Sequence, residues 1–106
     1  MGALIAWIAL MSPSVLAANA QRGEKLFMAN CMACHGVEAN GQGPAAAALK
    51  PPPRDFTDAA FWEGKTNQDV KKTIKTGRPG TAMMPFPQLS DKDLDDIIAF
   101  LRTKKK

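Results

Sequence analysis

A chain of 106 residues with two cysteines, one histidine and no tyrosine has room for one small domain and very few chemically equipped side chains. Fourteen basic against ten acidic side chains leave a formal charge of +4. With the acids scattered among the bases, this argues against a nucleic-acid binder and for a surface that steers acidic protein partners.

Residues 1–20 carry no charged side chain and are mostly apolar from Met1 to Met11. The run falls short of the roughly 20 apolar residues that span a bilayer. Its helix-breaking Pro13 and the small residues that follow suit an export signal, although no Lys or Arg precedes the apolar stretch. Val15 and Ala17 favour cleavage after Ala17, with Ala20 as the second choice. The expected mature domain is therefore residues 18–106, in the periplasm, with no membrane span. A leader retained as a weak anchor is the alternative. A domain this small buries too little apolar surface to be secure without a staple.

The first mature helix is expected from about Gln21, capped by Asn19, with Gly23 and Phe27 on one face and Met28 inward. It leads into Cys31-Met32-Ala33-Cys34-His35, which uses every cysteine and histidine in the chain. Thiols at i and i+3 face the same way on a helical turn. Both can then add to the two vinyl groups of one haem while the adjacent imidazole meets the iron. A disulfide, a thioredoxin-type redox pair and a zinc site are the alternatives. The redox pair belongs near a βαβ pattern that this chain lacks, and structural zinc wants a fourth ligand. One covalently bound haem c is the expected cofactor, and it would also serve as the missing staple.

Gly36 to Pro44 reads as a turn-rich loop, with Asn40-Gly41-Gln42-Gly43 supplying positive-φ positions and Ala45–Leu49 a short helix. Pro51-Pro52-Pro53 forces an extended stretch leading through Arg54 and Asp55 to Phe56. A short helix over Asp58–Glu63 carries Phe61 and Trp62. Trp62 has two readings, core packing or an indole N–H reaching a haem propionate. Thr66 and Asp69 resemble a capping box for a helix with Val70 and Ile74 inward, Lys71, Lys72 and Lys75 outward, and Gly77 as its stop.

Arg78 to Leu89 has no periodicity and three prolines, so it reads as a stiff extended loop. It offers two sulfurs for the sixth iron position, Met83 and Met84. Met84, held extended before Pro85, is preferred as the ligand. Histidine and methionine together raise the reduction potential and leave no open position for a substrate. That is the ligation of an electron carrier rather than an enzyme. The free ring nitrogen of His35 is expected to donate to a backbone carbonyl. Ser90 caps the last helix, whose Leu94, Ile97, Ile98 and Leu101 define a buried face and whose Phe100 meets the Gly23/Phe27 face. Lys104-Lys105-Lys106 reads as a solvated tail.

Cys31-x-x-Cys34-His35, Gly43-Pro44 nine positions after the histidine, Met84-Pro85-Phe86 and the Leu89-Ser90-x-x-x-Leu94 helix start together resemble a small bacterial class I cytochrome c with one haem. The resemblance implies an all-α fold of short helices wrapped around the haem. It implies thioether links at Cys31 and Cys34, axial ligation by His35 and Met84, and a Pro44 carbonyl accepting from the His35 ring. Arg54, Lys65, Trp62 and Arg78 loosely resemble propionate-contacting residues. The Pro51-Pro52-Pro53-Arg54 insert and the doubled methionine depart from the pattern. The expected function is a monomeric shuttle between redox proteins of a respiratory chain (a membrane cytochrome complex, an oxidase or a reductase), docking transiently through lysines 50, 65, 71, 72 and 75. The alternatives are a haem sensor or peroxidase-like enzyme with a dissociable methionine, or a haem subunit of a larger oxidoreductase.

Overall fold

Side-chain caps begin each of the three long helices. In a computed structural model that describes residues 17–106, α1 (Ala20–Asn30) starts where the Asn19 side chain accepts the Arg22 N–H. α4 (Asn67–Thr76) and α5 (Asp91–Arg102) start with full capping boxes, Thr66 with Asp69 and Ser90 with Asp93. Between α1 and α4 lie a single turn, α2 (Met32–His35), a 3₁₀ turn at Ala46–Ala48, and a second single turn, α3 (Ala59–Trp62). All regular structure among the described residues is helical, as expected. The leader assigned to residues 1–17 lies, except for Ala17, outside the described residues.

The frame is the crossing of α1 on α5. Gly23 sits at the point of closest approach, where a Cβ would fall 1.8 Å from the Asp96 carbonyl oxygen. One turn on, the Phe27 and Phe100 rings meet with centroids 5.3 Å apart. Leu94, Ile97, Ile98 and Leu101 are buried on the face expected of them. α4 also packs on α5, with Lys71 and Lys75 of α4 paired to Asp95 and Asp91 of α5.

Asp96, on the first half of α5, is fully buried. Its carboxylate accepts from the Asn19 N–H at 2.8 Å, Arg22 Nη1 at 2.8 Å and Lys92 Nζ at 2.9 Å. Burial opposes its ionisation, but these three donors outweigh burial and bring its pKa down to about 2. In the C-terminal tail Lys105 and Lys106 are exposed, as expected of a solvated tail, while Lys104 lies 5.3 Å over the Phe100 ring and the Lys106 N–H donates to the Thr57 carbonyl at 2.9 Å.

Candidate functional site

α1 ends at Cys31, whose φ of −124° bends the chain away from the helix axis. Cys31 then serves as the first residue of a new turn, its carbonyl accepting from the His35 N–H at 3.0 Å. Cys31, Cys34 and His35 thus sit on one tight turn, and all three line a single cavity of about 680 Å³. The cysteines are unbridged and partly buried. Burial, with a smaller contribution from Cys34, pushes the Cys31 thiol up to about 12. Thioredoxin-type redox cysteines show the opposite shift. Among the described residues no three His, Cys, Asp or Glu side chains converge as a metal-binding group, so the zinc alternative has no ligand set.

The His35 ring is oriented from one side. Its Nδ1 lies 3.2 Å from the Arg54 carbonyl oxygen. A carbonyl can only accept, so Nδ1 carries the proton and Nε2 keeps its lone pair. Burial lowers the pKa of the imidazole, partly opposed by the Arg54 carbonyl, which keeps the ring neutral as a ligand. The Phe56 ring lies against it at 4.8 Å between centroids.

The acceptor is Arg54, not Pro44. The Gly43 N–H and Ala45 N–H donate to the Cys34 and Ala33 carbonyls at 3.0 and 2.8 Å, which ties Pro44 to the α2 turn. Pro44 lies outside the cavity lining, whereas the triproline stretch lines it and carries Arg54 onto the ring. Gly41 permits this approach, since a Cβ there would fall 2.7 Å from the Pro53 carbonyl oxygen. Trp62 likewise does not face the cavity. It is 4 % exposed, and its indole N–H donates to the Phe56 carbonyl at 2.9 Å, so the propionate role expected of it is replaced by a core hydrogen bond. Arg102 stacks over its ring at 4.5 Å.

The remaining walls are mostly apolar, with Asn30, Asp55, Asp69, Thr73 and Thr81 among them. Leu49 and Pro51–Pro53 contribute one stretch, Val70 and Ile74 of α4 another, and Met83, Met84 and Phe86 a third. The last stretch is pinned to α4 by the Phe86 N–H donating to the Ile74 carbonyl at 2.9 Å. Gly77 has φ +75°, and a Cβ there would meet the Met83 carbonyl oxygen at 2.7 Å, so this glycine lets the loop fold back on the helix as well as ending it. Both methionines reach the cavity. Met83 packs partly against the core, and Met84 is 60 % exposed. Arg54, Lys65 and Arg78 also line the cavity and supply its cationic groups.

This set of groups fits a haem held covalently at one end. Two thiols on one turn, an imidazole with a free Nε2, apolar walls, thioether sulfurs and cationic side chains are the groups such a cofactor requires. Sequence reasoning missed the Arg54 carbonyl, since a backbone acceptor has no residue signature, along with the lining contributed by Leu49, Thr73 and Ala82.

Comparison with known proteins agrees with this geometry. Residues 20–105 match the family described as Cytochrome c. The chain is 36 % identical over 93 residues to cytochrome c-554(547) of Halothiobacillus neapolitanus, an alignment covering 84 % of this chain and all of that one. It is 28 % identical to the cbb3-type cytochrome c oxidase subunit FixP of Rhizobium meliloti over 78 % of this chain but 27 % of FixP. Among solved structures, the KustC0563 c-type cytochrome superposes with a TM-score of 0.64 at 28 % identity, covering 79 % of this chain and 98 % of that one. With the family pattern spanning nearly the whole described chain and the cavity equipped for its cofactor, this protein belongs to the cytochrome c family and carries a covalently bound c-type haem.

Proposed function

We propose that this chain is an exported single-electron carrier whose haem is attached at Cys31 and Cys34 and ligated by His35 and Met84. A haem held there supplies an iron centre that takes up and returns one electron. The observation that carries the proposal is the donor set of the cavity. Apart from the cysteine thiols and the Lys65 amine, its soft or nitrogen donors are the His35 imidazole and the Met83 and Met84 sulfurs. The chain has no second histidine and no tyrosine to serve as acid–base machinery. A neutral His35 held by a carbonyl and a thioether from a proline-stiffened loop suit both oxidation states. The choice of Met84 rests on the geometry before Pro85.

The surface supports a revised docking set. Lys71 is only 15 % exposed and pairs with Asp95 at 2.7 Å, and Lys75 pairs with Asp91 at 3.1 Å. Lys71, the less exposed of the two, is thereby the less available to a partner. Lys65, Arg54 and Arg78 line the cavity mouth instead and would face an acidic redox partner. Export to the periplasm is supported by the charge-free leader. Cleavage after Ala17 is supported by Asn19, which caps α1 and donates its N–H to buried Asp96, since cleavage after Ala20 would discard both contacts. The similarity to FixP favours a second reading, in which the same carrier chemistry serves a larger oxidase or reductase. A stable co-purifying partner would identify it.

The test is the visible spectrum of the exported protein with Met83→Ala and Met84→Ala beside it. Loss of the far-red sulfur-to-iron band of the oxidised protein in Met84→Ala alone is the expected result. Loss in Met83→Ala alone transfers the ligand to Met83. Absence of the band in the wild type, with carbon monoxide binding to the reduced protein, overturns the carrier in favour of a sensor or enzyme.

A further inference from the structure

The hydrogen bond to His35 comes from a segment that is anchored on both sides. Before Arg54 stand three prolines, whose fixed φ stiffens the backbone that leads up to it. After it, Phe56 is tied at both backbone groups. Its N–H donates to the Ala39 carbonyl at 2.9 Å, and its carbonyl accepts the Trp62 indole N–H at 2.9 Å. Ala39 is fully buried and takes a left-handed conformation with φ 60°, uncommon for a residue with a side chain. The local chain accepts that strain, and the Ala39 carbonyl meets Phe56. The Phe56 ring, in turn, lies 4.8 Å from the His35 ring, and the edge of Phe61 closes on Phe56 at 5.1 Å.

Trp62 sits at the far end of this chain of contacts, outside the cavity and beneath Arg102, whose guanidinium also donates to Asn67 at 2.8 Å. Its N–H is the one side-chain donor given to the Phe56 carbonyl among the described residues. The geometry points to Trp62 as a positioning residue that acts through Phe56 to hold both the Phe56 ring and the Arg54 carbonyl on the proximal histidine, and so tunes the electron affinity of the site. This rests on His35 being the iron ligand. A carbonyl held on Nδ1–H makes the imidazole a stronger donor to iron and favours the oxidised state. Releasing that carbonyl weakens the donation and raises the reduction potential.

The test uses the haem-loaded full chain. Trp62→Phe keeps an aromatic ring but removes the N–H, and Phe56→Leu keeps apolar volume but removes the ring from His35. Ile98→Val, a buried truncation on α5 that removes no hydrogen bond and no aromatic ring, is the control for stability loss alone. Each is read by equilibrium redox titration and by the hyperfine-shifted imidazole proton resonances of the oxidised protein. The expected result is an upward shift of potential in Trp62→Phe and Phe56→Leu, with displaced His35 resonances, and neither change in Ile98→Val. Unchanged potential and unchanged resonances in both variants, with only a lowered unfolding midpoint, would mean that Trp62 is packing and nothing more. An equal shift in Ile98→Val would overturn the proposal in the same way. A wild type without iron-coupled imidazole resonances would fail the ligand assignment itself, and the proposal with it.

Discussion

Gly23→Ala isolates the contact on which the frame depends. The added methyl would lie 1.8 Å from the Asp96 carbonyl oxygen, 2.3 Å from its carbon and 2.9 Å from the Ile97 nitrogen, all backbone atoms that cannot rotate away. To restore an ordinary 3.4 Å contact, α1 and α5 must separate locally by about 1.6 Å. The Phe27–Phe100 pair one turn away would open with them, forfeiting about 1 kcal/mol. Overpacking itself costs about 1–3 kcal/mol. Alanine recovers about 1 kcal/mol of helix propensity. The net loss is therefore roughly 1–3 kcal/mol, against a total stability of about 5–15 kcal/mol for an ordinary domain. Urea unfolding of the haem-loaded protein reads it as a shift in midpoint at constant slope. Gly64→Ala is the comparison, because Gly64 has φ +70° and nothing within 4 Å of a built Cβ. It should cost only the left-handed penalty of about 1–2 kcal/mol. If Gly23→Ala costs no more than Gly64→Ala, the close crossing is not what holds the frame.

Two further outcomes follow from the charges and a third from the Asn19 cap. Asp96 has a folded pKa of about 2 against an ordinary 3.8, so its contribution is fully present above about pH 4 and is lost as pH falls toward 2. Asp96→Asn should remove about 2 kcal/mol at pH 7 and flatten the acid limb of the stability–pH curve, measured by denaturant midpoints at each pH. Lys65→Glu should lower the rate of electron exchange with an acidic partner and reduce its salt dependence, whereas Lys71→Gln should leave the salt dependence nearly unchanged. Stopped-flow kinetics across ionic strength separates these, and equal effects would refute the revised docking set. Intact mass of the exported protein should show a chain beginning at Ala18, and one beginning at Gln21 would mean that the Asn19 cap is dispensable.

Local signals in the sequence went far with this protein, because the features that specify its helices and its cofactor are short-range. A capping box spans four residues, and Thr66 with Asp69 and Ser90 with Asp93 close as their spacing requires. The stripe Leu94, Ile97, Ile98, Leu101 buries itself by helical period alone. The attachment motif is five consecutive residues, so its chemistry is legible without any fold. Tertiary structure decided how those pieces support one another. Arg54 reaches His35 across 19 positions through a backbone carbonyl, which every residue possesses and no pattern can mark. Trp62 spends its N–H on Phe56 because burial leaves it no better acceptor. Asp96 becomes a buried anion because α1 brings Arg22 and the Asn19 N–H to it from more than 70 positions away. Caps, stripes and covalent motifs are set by neighbours in sequence. The partners of a buried polar group are set by which backbones pack together, and that is fixed only once Gly23 has let α1 close on α5.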